Sequence, residues 1–256
     1  AGIFVCGVAS VNLNSSNYGD SYIPSNWTKM NQQDNETDLW RYLVIRPTVV
    51  SGSSTTNEST VIFNITRGSL QYATDVNRTW QTISSGRPYT ISAGHYMMIK
   101  GNCTASTSGI GTIRITGTTT YCSVEGNCMA LLNNGSDHDP SLSTGRNYAF
   151  LNLFQNSTGI IDASRLSIPL IGQQCCQNMF IDCYNLLSAP EIMFGYIKAY
   201  NKPQSLAGLA NVPIQQGCYR GTFQNCLGLR VTPKMLTSYN LQNGSATGCY
   251  SSMFYN

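Results

Sequence analysis

A pattern of cysteine, phenylalanine and leucine recurs through the second half of this 256-residue chain. The fullest copy is CYRGTFQNCLGLRVTP at 218–233, and CCQNMFIDCYNLLSAP at 175–190 and CYSSMFYN at 249–256 share its spacing. A weaker copy, AFLNLFQNSTGIIDAS, occupies 149–164. One such segment cannot bury its own apolar face, whereas stacked segments can, so the pattern predicts a region of stacked repeats.

The shared pattern places cysteine, aromatic and leucine residues at matching positions of the four segments. Aligned on their phenylalanines, successive segments lie 26, 43 and 31 residues apart. Each segment is predicted to form a short apolar helix-like piece followed by a short strand or turn. The predicted repeat core consists of Phe154, Cys175, Phe180, Cys183, Leu186, Cys218, Phe223, Cys226, Leu229, Cys249 and Phe254.

The ten cysteines of the chain admit more than one chemistry. Zinc sites use close pairs such as Cys-x-x-Cys, whereas Cys183 and Cys226 each follow the first cysteine of their segment by eight residues. Adjacent Cys175 and Cys176 are expected to point in different directions in any regular structure. We therefore predict no metal site and favour thiols packed as small apolar side chains. Disulfide bridges remain the alternative, because secreted proteins use them as staples. The better candidates for a bridge lie outside the repeats: Cys103, Cys122 and Cys128.

The sequence of residues 41–132 predicts a β-sandwich-like domain. The whole chain is therefore expected to be mainly β. Charged residues make up only 11% of the chain, and Ser, Thr, Asn and Gly, which suit pleated surfaces and turns, take their place. Runs such as RYLVIRP, VIFNITR and TIRITG alternate with turn residues about every 8–12 positions, as in sandwiches and barrels. Pro47 is expected to end the first strand, because proline has no N–H for the ladder.

Residues 1–40 predict an N-terminal arm that attaches the protein to a partner. The segment has no sustained periodicity, yet one end carries four apolar residues that it cannot bury alone: Ile3, Phe4, Val5 and Val8. Exposed apolar residues of this kind mark interaction sites, and a strand added to a neighbouring sheet would satisfy both backbone and side chains. We expect a homo-oligomer, with a trimer as the first guess, or attachment to a larger virion scaffold.

No catalytic, cofactor-binding or metal-binding residue is predicted. Neither a phosphate-binding loop, nor a nucleophile elbow, nor a His-Glu-x-x-His motif occurs. His138 lies in the turn-rich stretch NNGSDHDPS and is expected to be a solvated loop residue. His95 lies at a strand start and is expected to have a structural role, so the two are not expected to form a catalytic set. A carbohydrate-active enzyme, which needs two acids flanking a cleft, is a weaker reading.

Membrane insertion and nucleic-acid binding are not expected. No apolar run reaches the ~20 residues that span a bilayer. The net charge is only +3, and the lysines and arginines form no cluster that would bind nucleic acid.

The repeat segments resemble the leucine-rich repeats first associated with Bacteroides surface proteins. That family pattern runs roughly Cys-Tyr-x-x-Met-Phe-x-x-Cys-x-x-Leu-x-x-Ala-Pro. Upstream stretches such as ISAGHYMMIKG and EGNCMALL resemble the β-domain that precedes these repeats in gut Bacteroidetes and their phages, so the resemblance covers about residues 42–256. Cys176 departs from the pattern by replacing an aromatic residue, and Thr222 by replacing Met.

The resemblance implies a β-sandwich-like domain followed by short, divergent leucine-rich-repeat solenoid units over residues 133–256. It also implies surface display and interaction rather than enzymatic activity. The leading hypothesis is a phage virion decoration or fibre component, located on the virion surface and contacting a host-surface protein or glycan. The alternative is a bacterial cell-surface or extracellular adhesin of the same family, whose precursor would need an export signal.

Overall fold

The protein is built mainly from short β-strands and stacked turns. The computed structural model describes residues 4–6, 27–29, 39, 41–49, 57–117, 120–133, 143–144, 147–168, 170–191, 214–233 and 247–255. Within these ranges there is one helix, α1 (Ala130–Asn133). The strands are β1 (Phe4–Cys6), β2 (Trp27–Lys29), β3 (Leu43–Val49), β4 (Glu58–Ile65), β5 (Leu70–Thr74), β6 (Gln81–Thr82), β7 (Pro88–Ser92), β8 (Met97–Gly101), β9 (Gly111–Thr116), β10 (Thr120–Asn127), β11 (Ser143–Thr144), β12 (Ile160–Asp162), β13 (Leu166–Ser167) and β14 (Leu170–Ile171). The predicted mainly β fold is confirmed.

Two open sheets pack on one another, and the part of them that lies in residues 43–127 is called here the two-sheet region. The larger sheet has the order β12-β10-β3-β8-β5-β6, with β13 also pairing β10, and the smaller has the order β7-β4-β9. Their inner faces meet at Tyr72 and Tyr89, whose rings lie 5.0 Å apart. The Ser59 hydroxyl of β4 also donates to the Thr120 carbonyl of β10.

Alternation of apolar and polar residues explains why these strands pack on one face. In β4, Ser59, Val61 and Phe63 are buried, while the residues between them are only partly buried. Phe63 pairs with Ile113 of β9, which is also buried. Side chains two residues apart on a strand point to the same face of the sheet. The alternate apolar residues therefore lie on one face, which packs against the core.

Two strands differ from the sequence-based expectation. β3 continues through Pro47 to Val49, although Pro47 was expected to end it. The pairing with β8 covers only Leu43–Ile45, so among the described residues no strand pairs with that edge of β3 at Pro47, and a missing N–H on that edge costs no ladder bond. β10 was not predicted, yet it lies between β3 and β12 in the larger sheet.

Four turn segments follow the two-sheet region and stack in parallel; they comprise residues 147–157, 173–183, 216–226 and 247–255 and are called here the turn stack. The helix-like pieces expected in them are not helices. In the first segment Tyr148, Asn152 and Asn156 have φ of 61°, 59° and 59°. A left-handed residue at every fourth position interrupts an α-helix, so the chain advances as a ribbon of linked turns.

The backbone N–H groups of each ribbon alternate between two kinds of partner. In the first segment the Leu153 N–H donates to the Phe150 carbonyl three residues back, whereas the Phe154 N–H donates to the Met179 carbonyl of the second segment. The same alternation joins the second segment to the third and the third to the fourth: Cys176 N–H donates to Cys218 O and Tyr219 N–H to Cys249 O, both at 2.9 Å. Every segment is thereby hydrogen-bonded to the next.

The turn stack begins directly on the two-sheet region. The Ile113 N–H of β9 donates to the Leu153 carbonyl at 2.6 Å, so β9 covers the first edge of the stack. β12 and β13, which follow the first turn segment, pair in parallel with β10. One apolar core therefore runs across residue 132, where the sequence suggested a change from the β-domain to the repeats.

The N-terminal arm contains one short antiparallel ladder. β1 pairs with β2 in a separate two-stranded antiparallel sheet. Ile3 and Val8 lie outside the described residues, and the side chains of Phe4 and Val5 are not among the described ones. The assembly role of these four residues stays a prediction.

Candidate interaction surface

Burial in the turn stack repeats every four residues rather than every two. In the second segment Cys175 and Cys176 are buried, then Met179 and Phe180, then Cys183. Because each turn reverses the chain within four residues, two neighbouring residues face the core and the next two face outward. Cys175 and Cys176 thus point to the same side, contrary to the expectation for a regular structure, and their Sγ atoms lie 3.5 Å apart.

The repeat phenylalanines form a column of rings through the four segments. Phe154 stacks on Phe180 at 5.2 Å, Phe180 on Phe223 at 5.5 Å, and Phe223 on Phe254 at 5.6 Å, with interplanar angles of at most 22°. The first three are fully buried or nearly so. Each inner ring therefore packs on both of its faces, which is the arrangement that makes a phenyl ring costly to remove.

The second cysteine of the second and of the third segment donates a hydrogen bond to the preceding layer. The thiol of Cys183 donates to the Phe154 carbonyl at 3.1 Å, and that of Cys226 to the Phe180 carbonyl at 3.0 Å. In the first segment Ser157 holds the same position, and its hydroxyl donates to the Ile113 carbonyl of β9 at 3.1 Å. The position thus requires a small buried donor, and a cysteine satisfies this requirement without a bridge or a metal.

The first cysteines of the repeats form a second column. Ala149 occupies this position in the first segment, and it is followed by Cys175, Cys218 and Cys249, all buried. Burial holds the pKa of the Cys175 and Cys218 thiols well above the usual value for cysteine. Both groups are therefore neutral thiols at neutral pH and poor nucleophiles in the folded protein.

The predicted bridge candidates are not bridged. Cys103, Cys122 and Cys128 are buried free thiols, and burial raises the pKa of Cys103 and of Cys122 to about 11.

Among the described residues no group of three or more His, Cys, Asp and Glu side chains is placed to hold a metal ion.

Of the two histidines, His95 lies in a described turn, where it contacts a carboxylate. His95 Nδ1 lies 2.8 Å from Asp75 Oδ2, and the other oxygen of that carboxylate accepts from the Tyr96 N–H. Asp75 therefore fixes the turn before β8, a structural task. His138 lies outside the described residues.

One buried cluster of ion pairs lies on the larger sheet, away from its inner face. Glu125 of β10 accepts from Arg46 Nε at 2.9 Å and lies 2.7 Å from Arg165 Nη2. The carboxylate is almost fully buried and its charge is balanced by these two arginines. The cluster ties β10 to β3 and to the turn before β13, so it explains the presence of Glu in a central strand.

The far end of the turn stack is an exposed surface. Phe254 was expected in the core, but it is 42% exposed, and the neighbouring Tyr255 is 64% exposed. Phe254 stacks on Phe223 with one face, and among the described residues no further segment covers the other. Leu186 is fully buried, whereas Leu229, which lies closer to this end, is only partly buried.

The exposed end also presents a row of backbone N–H groups. Gly248, Ser252 and Phe254 occupy the positions of Gly217, Gly221 and Phe223, whose N–H groups donate to the fourth segment. In the fourth segment these three N–H groups have no acceptor within the described part of the chain. Since the backbone bonds between turn segments all run from an earlier N–H to a later carbonyl, the exposed edge offers N–H donors and needs acceptors. Two copies could not pair these edges symmetrically, because donors would meet donors.

We call this end, formed by Gly248, Ser252, Phe254 and Tyr255, the distal face. Sequence reasoning placed Phe254 in the core because its spacing matches the inner repeats. Spacing alone does not tell whether a ring has a neighbour on both faces, and in the structure Phe254 stacks on Phe223 only.

Comparison with known proteins adds no relative. No protein-family model matches the chain, and neither a curated protein nor a solved structure matches it. None of the helices in the described ranges has the length and apolar character needed to cross a membrane.

Proposed function

We propose that this protein is a non-enzymatic, surface-displayed structural and interaction protein, a decoration or fibre component of a phage virion that contacts the host surface. The observation that carries the proposal is the asymmetry of the turn stack. One end is covered by β9, while the distal face combines an exposed aromatic pair with a row of backbone donors. Exposed aromatic residues with nearby hydrogen-bond donors are typical of recognition surfaces.

We further propose that the four turn segments are units of a divergent leucine-rich-repeat solenoid. Three features support this: equivalent positions form columns, each layer donates to the next, and the ring stack continues through all four layers. Stacked units of this kind project a rigid surface away from their first layer, which suits display.

The distal face is tested by binding of the purified protein to cells of the host bacterium. The double variant Phe254→Ser, Tyr255→Ser should lose binding, because it removes the exposed rings without opening the buried core. The matched control is Val76→Ser, which changes a side chain that is 74% exposed on the two-sheet region. Equal binding by both variants would exclude the distal face as the contact surface. A cell-free glycan array then separates a sugar receptor from a protein receptor.

The location is tested by mass spectrometry of purified phage particles. The protein should be present at a fixed ratio to the major capsid protein. Its recovery with the bacterial cell envelope instead, and not with particles, would favour the alternative of a cell-surface adhesin.

The assembly arm has its own test, which does not depend on the receptor. Removal of residues 1–40 should leave a folded protein that no longer forms the oligomer, measured by light scattering coupled to size-exclusion chromatography. Unchanged assembly of the truncated protein would refute the arm hypothesis.

A further inference from the structure

Two cysteines of neighbouring layers face each other inside the turn stack. Cys175 and Cys218 hold the same position in the second and third segments, five residues before Phe180 and Phe223. Their Sγ atoms lie 3.4 Å apart, and both side chains are fully buried. A disulfide has an S–S length of about 2.05 Å, so the two sulfurs need to approach by only a little more than an ångström.

The backbone spacing of these two cysteines also suits a bridge. The segments are joined by ladder bonds on both sides of the pair, from Gln174 N–H to Gln216 O and from Cys176 N–H to Cys218 O, each at 2.9 Å. Chains joined in this way lie about 5 Å apart, inside the Cα separation of roughly 4.4–6.8 Å that disulfides use.

The neighbouring Cys176 is a poorer partner for Cys175. Their Sγ atoms lie 3.5 Å apart, but consecutive Cα atoms are only about 3.8 Å apart, shorter than the separation that unstrained disulfides need. Cys183 and Cys226 are likewise occupied, since each thiol donates to a backbone carbonyl.

We propose that Cys175 and Cys218 are the site of a cross-layer disulfide, formed when the chain folds in the presence of a small disulfide oxidant. A thiolate from one cysteine attacks the oxidant and releases one thiolate of it. The other cysteine attacks the resulting mixed disulfide and releases the second. The two cysteines are oxidised, the oxidant is reduced to two thiols, and the protons of the cysteines end on those thiols.

The bridge forms while the two layers come together, because stacking brings the sulfurs close and both thiols are buried once it is complete. An oxidant therefore reaches the pair during folding and only slowly afterwards. The bond joins segments on either side of residues 192–213. It therefore lowers the conformational entropy of the unfolded chain. The inference rests on geometry alone, although display outside the cell, as proposed above, supplies an oxidising medium.

The test is to refold the full chain with a mixture of oxidised and reduced glutathione, and to compare it with protein refolded in excess reductant. Free thiols are alkylated, and the unreduced protein is digested with trypsin. Cleavage after Arg165, Lys198 and Arg220 gives fragments 166–198 and 199–220. We expect these two fragments to be linked in the oxidised sample, with fragmentation placing the bond at Cys175 and Cys218. The oxidised protein should melt about 5–10 °C higher than the reduced protein.

Two variants assign the bond. Cys175→Ala should abolish the link and is expected to fold, because Ala149 holds the same position in the first segment. The control Cys183→Ser should keep the link, since Ser157 holds that position in the first segment. Alkylation of every cysteine in the oxidised wild-type protein would overturn the proposal, as would a link to Cys176 or Cys249 instead. Mapping in the wild-type protein decides the matter even if a variant fails to fold, and neither outcome bears on receptor binding.

Discussion

The two-sheet region and the turn stack share one apolar core, but they reach it with different periods. In β4 alternate residues are buried, whereas in the turn segments two of every four residues are buried. In both regions the backbone N–H and carbonyl groups form hydrogen bonds to neighbouring strands or turn segments. A turn with a repeated left-handed residue can therefore replace the extended strand as the unit of a layered core. It also allows adjacent side chains such as Cys175 and Cys176 to face inward together.

The largest expected effect tests whether the two regions form one cooperative unit. Phe63 in β4 and Phe180 in the turn stack are both fully buried, so Phe63→Ala and Phe180→Ala should each lower the free energy of unfolding by about 3–5 kcal/mol. Because the core is continuous, each variant should shift a single transition in chemical denaturation. Phe254→Ala is the control and should cost well under half as much, because one ring face is already exposed. Two separate transitions would show that the regions unfold independently.

The next effect tests the left-handed residues that set the period of four. Gly221 has φ of 60°, and a Cβ there would contact the side chain of Asn178. Gly221→Ala should cost about 2 kcal/mol, combining backbone strain of roughly 1–2 kcal/mol with the displaced side chain. Gly86 in the two-sheet region has φ of 78° with open space around it, so Gly86→Ala should cost only the strain. Thermal unfolding of both variants measures the difference; an equal cost would mean that the Asn178 side chain moves away freely.

A smaller effect tests the role of the cysteine donors. Cys183→Ala should destabilise by about 1–2 kcal/mol, because the Phe154 carbonyl loses a buried donor and a small void remains. Cys183→Ser should cost less than Cys183→Ala, because Ser157 shows that a hydroxyl serves in the equivalent position. Denaturant titration of the two variants compares them directly. A serine variant less stable than the alanine variant would show that apolar packing, not donation, accounts for the cysteine.

The smallest effect is a dependence of stability on alkaline pH. Burial raises the pKa of Cys226 from 9.0 to about 12 in the folded protein. Since the unfolded chain loses this proton first, stability is full below pH 9 and falls as the pH rises toward 12. The loss from this thiol alone is about 0.8 kcal/mol at pH 9.5. Unfolding of wild-type and Cys226→Ser proteins between pH 7.5 and 9.5 isolates it, because the variant should show a shallower fall. Parallel curves would mean that Cys226 is not protected from titration.

Several features of the fold follow from the sequence by local rules. The alternation in VIFNITR and TIRITG predicted β4 and β9, because a strand has the same side-chain period wherever it lies. The matched spacing of Phe154, Phe180 and Phe223 predicted their stacking, since equivalent residues in repeated segments occupy equivalent positions.

Other features escaped prediction for physical reasons. β10 contains Glu125, Gly126 and Asn127, which are unfavourable in strands; Arg46 and Arg165 compensate Glu125 only in the folded protein. The turn ribbon escaped prediction because helix and strand patterns have periods of 3.6 and 2, and a period of four resembles a helix over so short a segment.

The sequence by itself determined the mainly β class and the positions of the repeated residues, because both depend on spacing along the chain. Only the tertiary structure decided which of those residues are covered. Phe223 and Phe254 have the same local pattern, yet Phe223 lies between two rings and Phe254 has one. Cys175 and Cys218 are 43 residues apart in sequence, and they meet because the second and third turn segments stack as adjacent layers. Burial and contact are properties of neighbours, and neighbours from distant parts of the chain are assigned only when the layers stack.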